Sequence, residues 1–461
     1  MITLETLPFI NEYLNALNSS LKEENINYEL TFTQRIWIGF CLMGILMTNT
    51  VCWAKFERLS LKAYTQQAIS WMFRHSKISW DWLLVSSTRA LLKKYNIESG
   101  ALVIDDKDLS RSKNAKHLSR LHKIKDKKTG GYVLGQNMVF LYLVTNKISF
   151  PVGFKFYSPD PSLKEWEKNN AELKRRGVSK KERPKKPERS CGHPKKYELA
   201  ITLLKQFKEK FSNFKVKVVL ADCLYGTSSF IDEIEKILEG IQVITKMRKN
   251  QKIRYRNKDY TCYEYFESYP GWSQEVKIRG REEKRVVAGG GRLYVPSHNK
   301  KRFVIALKYE GESEYRYLMA SNLSWDMKEI MDCFTIRWLI EVFFEDWSCY
   351  QGFCSLAKQC GVEGSERPLI LSLLFDHCFF FHKHQQACIE NKSPLATFGS
   401  LLEKNRAVAF HHFIDQILKE DSPKEKLKDL MEQLDDVFEI RLSKKHLSNV
   451  SIDLEPLRLS G

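Results

Sequence analysis

NMVFLYLVTNKISFPVGFKFY, residues 137–157, reads as two β-strands folded back on one another. Both runs, 137–145 and 148–157, are dense in Val, Leu, Phe and Tyr, and only Asn146-Lys147 separates them, so the stretch predicts a hairpin. Upstream, ALVI (101–104) is a short apolar strand running into Asp105 and Asp106. Downstream, the polar segment 158–196 carries KRR, KK and RPKKPERS and reads as an exposed basic excursion. A helix over 197–211 follows, then the strand VKVVL (216–220) leading into Ala221-Asp222, a helix near 228–238, and the strand IQVIT (241–245). Three strands with a hairpin, then helix, strand, helix and strand, predict an α/β fold with a mixed sheet.

The flanks read differently. Residues 1–95 show apolar spacing near 3.6, as in Leu14, Leu17, Leu21, Ile69, Met72, Trp80, Leu83 and Leu91, which predicts a helical N-terminal domain and a candidate DNA-end reader. Residues 96–245 form the first part of the α/β core, and 246–325 break its rhythm with short β-like pieces (QKIRY, RVVAG, RLYV, KRFVIALKY) that read as a β-rich insertion. Residues 326–385 return to helical spacing and complete the core, with a continuous helix expected over 325–350; residues 386–461 form a helical C-terminal region. The uncharged run 36–54 approaches membrane-spanning length, but Thr48, Asn49 and Thr50 and its polar flanks favour a helix buried in the N-terminal domain, so no membrane partner is expected.

Lys and Arg outnumber Asp and Glu by 74 to 56, a formal charge of +18 with clusters at 89–94, 111–128, 174–196, 246–256 and 279–302. Any one cluster is explained by a solvated face, but five argue for a broad surface that attracts a polyanion, with nucleic acid the leading partner. The eleven cysteines form no Cys-x-x-Cys pair and no secretory leader opens the chain, which predicts free thiols in a reducing cytoplasm. Cys349, Cys354 and Cys360 lack zinc-site spacing. Cys191-Gly192-His193 reads as exposed loop, and Gly289-Gly290-Gly291 as a flexible turn.

Candidate chemistry lies with three acids. Asp105 (or its neighbour Asp106) and Asp222 close apolar strands, where an α/β fold presents side chains to a cleft, while Asp108 reads as a turn residue. Taken alone, such an Asp is a turn former or a helix cap. In FTIRWLIEVFFEDW (334–347), Arg337 and Glu341 stand four apart on one face of a helix that Trp338, Leu339, Val342, Phe343 and Phe344 make apolar on most sides. A surface ion pair is the plain explanation, and the apolar surroundings weaken it.

At these residues the chain resembles the IS4-type insertion-sequence transposases, whose third acid lies in a helix of pattern Tyr-x2-Arg-x3-Glu-x6-Lys. Arg337 and Glu341 match; Phe334 stands at the Tyr position and Ser348 at the Lys position. VIDDKD and ADCLYG are similar to the family's runs around its first two acids, and the resemblance spans roughly 101–374. It implies a ribonuclease-H-like core with a β insertion between the second and third acids, which here lie 119 positions apart. It also implies a DDE transposase with Asp105, Asp222 and Glu341 as catalytic metal ligands for Mg²⁺, or Mn²⁺ in its place. Asp106 is the fallback first acid, because strand alternation lets one of the pair face the cleft. Arg337 would grip a DNA phosphate, and Trp338, Lys246, Arg248 and Lys249 would complete the DNA contacts. Lys358 or the 246–249 segment would stand in for the missing Lys. The implied partners are double-stranded DNA, both terminal inverted repeats and target, and a second copy of the chain as a homodimer on DNA; the implied location is the bacterial cytoplasm, at the nucleoid. A non-mobile nuclease and a DNA-binding protein that has lost catalysis stay open as alternatives. Three clustered acids repel one another, so the site is expected to be poorly ordered until cations arrive.

Overall fold

The computed structural model describes residues 6–23, 28–60, 63–111, 115, 117–126, 129–279, 282–353, 356, 359–419 and 421–437. The chain opens with five helices: α1 (Pro8–Glu23), α2 (Phe32–Thr48), α3 (Trp53–Leu59), α4 (Gln66–His75) and α5 (Trp80–Lys94). Strands β1 (Ser99–Ser110), β2 (His122–Lys125), β3 (Tyr132–Val144) and β4 (Ser149–Tyr157) follow, then helices α6 (Pro161–Arg175) and α7 (Lys196–Lys210). Next come β5 (Lys215–Ala221), α8 (Ser228–Ile237), β6 (Gln242–Met247), β7 (Lys252–Tyr255), β8 (Lys258–Thr261), α9 (Cys262–Ser268), β9 (Trp272–Ile278), β10 (Glu282–Val295), β11 (Lys300–Tyr309) and β12 (Arg316–Ala320). The last helices are α10 (Met327–Thr335), α11 (Trp338–Tyr350), α12 (Gly361–Cys378), α13 (Lys383–Glu390), α14 (Phe398–Ile417) and α15 (Pro423–Val437).

One mixed sheet runs through the molecule in the order β3-β1-β5-β6-β12-β11-β10-β7-β8. Strands β2 and β4 pair with β3, and β9 pairs with β10. Strands β1, β5 and β6 are parallel, with the single helix α8 as the crossover from β5 to β6, while β3 and β4 form the antiparallel hairpin read from 137–157. The β-rich insertion extends this sheet: β12 pairs antiparallel with β6, from Tyr317↔Met247 to Ala320↔Ile244. RVVAG and RLYV belong to a single strand, β10, and the three glycines lie in its middle, with Gly290 opposite Ile305, where a flexible turn was expected. The reason is close packing: a Cβ on Gly289 would fall 2.9 Å from the Gly271 Cα.

The helical N-terminal region shares one hydrophobic core with the sheet. Helix α2 carries the uncharged run but is buried almost all round, and among the described residues no single helix is long and apolar enough to cross a membrane. A buried polar chain ties α1, α5, α12 and β4 together: Tyr13 and Ser87 hydroxyls lie 2.7 Å apart, Ser87 Oγ is 2.7 Å from His377 Nδ1, and His377 Nε2 is 2.8 Å from the Pro151 carbonyl. Satisfied buried polar groups of this kind fix one packing arrangement over its alternatives.

Two local readings change. The polar excursion contains α6, started by Asp160 as N-cap with Pro161 at the first helical position. The helix expected over 325–350 breaks at Ile336-Arg337 into α10 and α11. Arg337 keeps helical dihedrals (φ −53°, ψ −31°) at the break, so its four-residue spacing to Glu341 survives.

Candidate active site

Parallel pairing of β1 with β5 ends at Ile104↔Ala221, and that of β5 with β6 at Ala221↔Thr245. The next residue along each strand is therefore Asp105, Asp222 and Lys246, three side chains at one level of three neighbouring strands. Helix α11 faces them from the other end of the chain. The buried Arg337 guanidinium donates to Asp105 Oδ2 at 2.9 Å and also to Glu341 Oε1, so a residue 232 positions away from Asp105 joins the first acid to the third. Lys246 Nζ lies 3.2 Å from Asp222 Oδ1.

Strand β1 continues to Ser110, past the point where the apolar pattern ends, because its second half pairs with β3 through Ser110↔Gly135. Asp108 is consequently a strand residue and not a turn former; its Oδ1 accepts from Asn137 Nδ2 at 2.6 Å. Asp105 and Asp106 diverge as strand alternation requires. Asp106 Oδ2 accepts from Lys196 Nζ at 2.7 Å and Asn137 Nδ2 at 3.0 Å, away from Arg337.

The environments separate the acids. Burial pushes the Asp105 carboxyl up to about 6, against the opposing pull of Arg337. Burial works on Asp222 in the same sense, but Lys246 and Arg337 outweigh it and hold the carboxyl below its ordinary range. Burial, with Asp106, Asp105 and Asp222 adding to it, drives the neighbouring Tyr225 hydroxyl well up, which keeps it a neutral phenol.

Beside the acids opens a cleft of about 830 Å³ between the insertion strands and helices α10 and α11. Lys246, Arg279, Lys284, Arg285, Arg316 and Arg337 line it against Glu283, Glu310, Glu312 and Glu341, so positive charge predominates. Trp338 is 49% exposed in its wall, with the Arg279 guanidinium 5.9 Å from its ring. Arg248 and Lys249 are exposed beyond it, Lys249 within 3.7 Å of Glu314. The sequence reading missed Arg279, Arg316 and Lys196 as neighbours of the acids. The basic runs over 279–302 and 174–196 were the signals for Arg279 and Lys196, but nothing local announces Arg316.

A family model for the DDE superfamily endonucleases matches residues 27–261, just over half of the chain. The chain belongs to the DDE superfamily of endonucleases. A second model, the transposase DDE domain, matches residues 188–355, so the two together take in Asp105, Asp222 and Glu341. No curated protein matches. The NurA nuclease from Sulfolobus solfataricus is a similar solved structure, at 11% identity and a TM-score of 0.25, covering 51% of this chain and 72% of that one.

DDE nucleases generally use divalent metals, and the donor chemistry here fits such an ion. Three carboxylates are hard oxygen donors, and the Asp222 side chain stays 34% exposed beside its Lys246 contact. The arrangement adds a condition: among the described residues no three Asp, Glu, His or Cys side chains gather closely enough to hold a metal ion. Arg337 stands between Asp105 and Glu341, and Lys246 against Asp222. The protein's own cations thus stand among the acids, where the sequence reading expected mutual repulsion until cations arrive. Ser348 donates to the Phe344 carbonyl within its own helix, and Lys358 lies outside the described residues.

Proposed function

We propose that this chain is a DNA transposase, which cuts the ends of its mobile element and joins them to target DNA by metal-dependent phosphodiester hydrolysis and strand transfer on a ribonuclease-H-like core. The observation that carries the reading is the meeting of Asp105 and Glu341 on one guanidinium, with Asp222 at the same level one strand away. The strand order β4-β3-β1-β5-β6, with β3 the antiparallel member, supports the core assignment.

Asp105, Asp222 and Glu341 would hold Mg²⁺, with Mn²⁺ as a substitute. When bound, the cation would polarise the phosphate and activate a water or a 3′-hydroxyl for in-line displacement. Arg337 grips a phosphate oxygen with its forked guanidinium, which requires it to release at least one of its two carboxylates as DNA and cation arrive. Lys246, at the level of the acids, supplies the cation that Ser348 does not. Arg248 and Lys249 hold the backbone further out, and the exposed Trp338 ring offers a face to an unstacked base. Two copies acting across paired inverted repeats at a bacterial nucleoid complete the proposal.

Phe334 and Ser348 favour one competing reading, a protein that binds DNA ends without cutting them. Incubating the wild type and Glu341→Gln with duplex carrying the element's ends and Mg²⁺ separates the cases. Cleaved and joined products from the wild type alone support transposition, cleavage without joining supports a non-mobile nuclease, and binding without cleavage by either protein overturns the enzymatic reading.

A further inference from the structure

Between β4 and α7 the chain leaves the core for nearly forty residues and returns within reach of the acids. Residues 174–196 of this excursion hold eleven Lys or Arg against two Glu, half of the net charge of the whole chain. Among the described residues only two of those eleven have acidic partners, Arg176 on Glu172 and Lys196 on Asp106. Most of the others are exposed. So dense an unneutralised charge repels itself and is costly to hold in one shape unless an anion is its purpose.

The excursion nevertheless has a defined shape. Asp160 fastens both of its ends: Oδ1 accepts from the Ser162 backbone N–H at 2.9 Å, where α6 begins, and Oδ2 from the Ser190 N–H at 2.7 Å, where the chain comes back. Trp166 Nε1 donates to the Pro184 carbonyl at 2.8 Å and folds the loop onto α6, and Arg183 Nε donates to the Val178 carbonyl at 3.0 Å. Preformed structure lowers the ordering cost when a partner binds.

Its base lies at the acids. Lys196 reaches Asp106, the neighbour of Asp105, and sits 5.5 Å from the ring of Tyr157, the last residue of β4. The basic cleft opens on the opposite side, toward β12, β11 and β10. The acids of β1 and β5 therefore lie between two cationic flanks.

We propose that segment 158–196 is a phosphate-binding arm that holds duplex DNA on the β4 side of the acids, opposite the cleft. The inference rests on the nuclease reading and adds a second contact surface to it. Evenly spread Lys and Arg on a folded loop suit the regular charge of a duplex backbone and carry no base-reading geometry, so the arm contributes affinity without sequence preference.

The test removes four exposed arm charges at once, Lys174, Lys180, Lys181 and Lys185 each to Gln, in the full-length chain. A control replaces Lys404, Lys424, Lys426 and Lys428, exposed on α14 and α15, in the same way. Anisotropy of a labelled duplex of about 40 base pairs, without divalent cation, reads binding as salt is varied. The arm variant is expected to bind at least ~10-fold more weakly at about 0.1 M salt and to lower the slope of log Kd against log salt by about two or more, with the control within about twofold of wild type. Equal losses in both variants would reduce the arm to net charge and overturn the inference. An unchanged arm variant beside a wild type that binds duplex would overturn it while leaving the nuclease reading intact. A wild type that fails to bind duplex would sink both.

Discussion

Among the described residues two arginines are buried and each bridges two carboxylates, yet their surroundings differ in kind. Arg302, with its side chain 1% exposed, joins β11 to α8 by contacting Asp232 at 2.6 Å and Glu235 at 3.4 Å, and Lys300 adds a contact to Asp232 at 2.7 Å. Two cations meet two acids there. Burial would raise the Asp232 carboxyl, but hydrogen bonds from Lys300, Ser228 and Arg302 prevail and hold it at about 2. Arg337, with its side chain 5% exposed, bridges Asp105 and Glu341 on the wall of a cleft. Burial, against the pull of Arg337, puts the Asp105 carboxyl at about 6, with Asp106 and Asp222 adding to it. The first pairing is closed and balanced, and the second leaves negative charge in reserve beside open space. One arrangement stabilises a joint, whereas the other, on the proposed reading, keeps acids available to an incoming cation.

The largest effect separating the two should come from activity. Asp222→Asn is expected to lower duplex cleavage at least ~10³-fold, roughly 4 kcal/mol of barrier, with the thermal midpoint moving by no more than a few degrees. Single-turnover cleavage and calorimetry on one preparation check both halves. A large drop in midpoint would make Asp222 structural and erase the contrast.

The opposite pattern is expected at the other arginine. Arg302→Met leaves Asp232 and Glu235 without their buried partner, a change that costs about 3–5 kcal/mol when all groups are fully buried. Both acids keep roughly a quarter to a third of their exposure, which screens the loss, so about 2–3 kcal/mol is expected as a lower urea midpoint. Cleavage per folded molecule should stay within about twofold of wild type.

Half of this contrast was legible in the sequence. Arg337 and Glu341 are four apart, and Asp105 and Asp222 each end an apolar run, so residue types and local spacing flagged three acids and their arginine. The two apolar runs of 137–157, split only by Asn146-Lys147, announced the hairpin for the same local reason. What stayed hidden depends on distance along the chain. Parallel register alone brings Asp105, Asp222 and Lys246 to one level, and the Arg337 contact to Asp105 crosses 232 positions. Arg302, in the basic run over 279–302, looked like surface charge, since its partners on α8 lie about seventy residues upstream. The polar second half of β1 read as loop because its side chains serve the site and not the core. Helix α6 was announced by Asp160-Pro161, a cap signal that the surrounding lysines obscured.

Acidity should sharpen the comparison further. The folded pKa of Asp105 is raised, so between pH ~4 and ~6 the native state binds more protons than the unfolded chain, and stability falls as pH rises. Asp232 has a depressed folded pKa, so its contribution is present above the ordinary carboxylate range and is lost as pH falls toward 2. In metal-free protein, Asp105→Asn should flatten the decline between pH 4 and 6, an effect of about 1–2 kcal/mol. Asp232→Asn should instead flatten the acid limb below pH 4. Urea midpoints across pH 2–7 provide the reading, and a decline that Asp105→Asn leaves untouched would place its origin elsewhere.

The smallest expected effect is the most specific to the cleft. Phe334 lines it with its ring 5.8 Å from the Arg337 guanidinium carbon, and it occupies the position where the resembling transposases carry Tyr. A hydroxyl added by Phe334→Tyr would project toward the space a phosphate must enter and could donate one further hydrogen bond, worth about 0.5–1.5 kcal/mol. Cleavage should rise roughly two- to tenfold while duplex affinity, set by many backbone contacts, barely moves. The separation of rate from affinity is the informative part. A faster reaction at constant Kd means the hydroxyl acts on the reacting phosphate, whereas tighter binding at constant rate means it adds only to the grip. No change in either would show that the ring's role is to face the guanidinium and keep Arg337 poised between its two acids, a contact that Phe already provides.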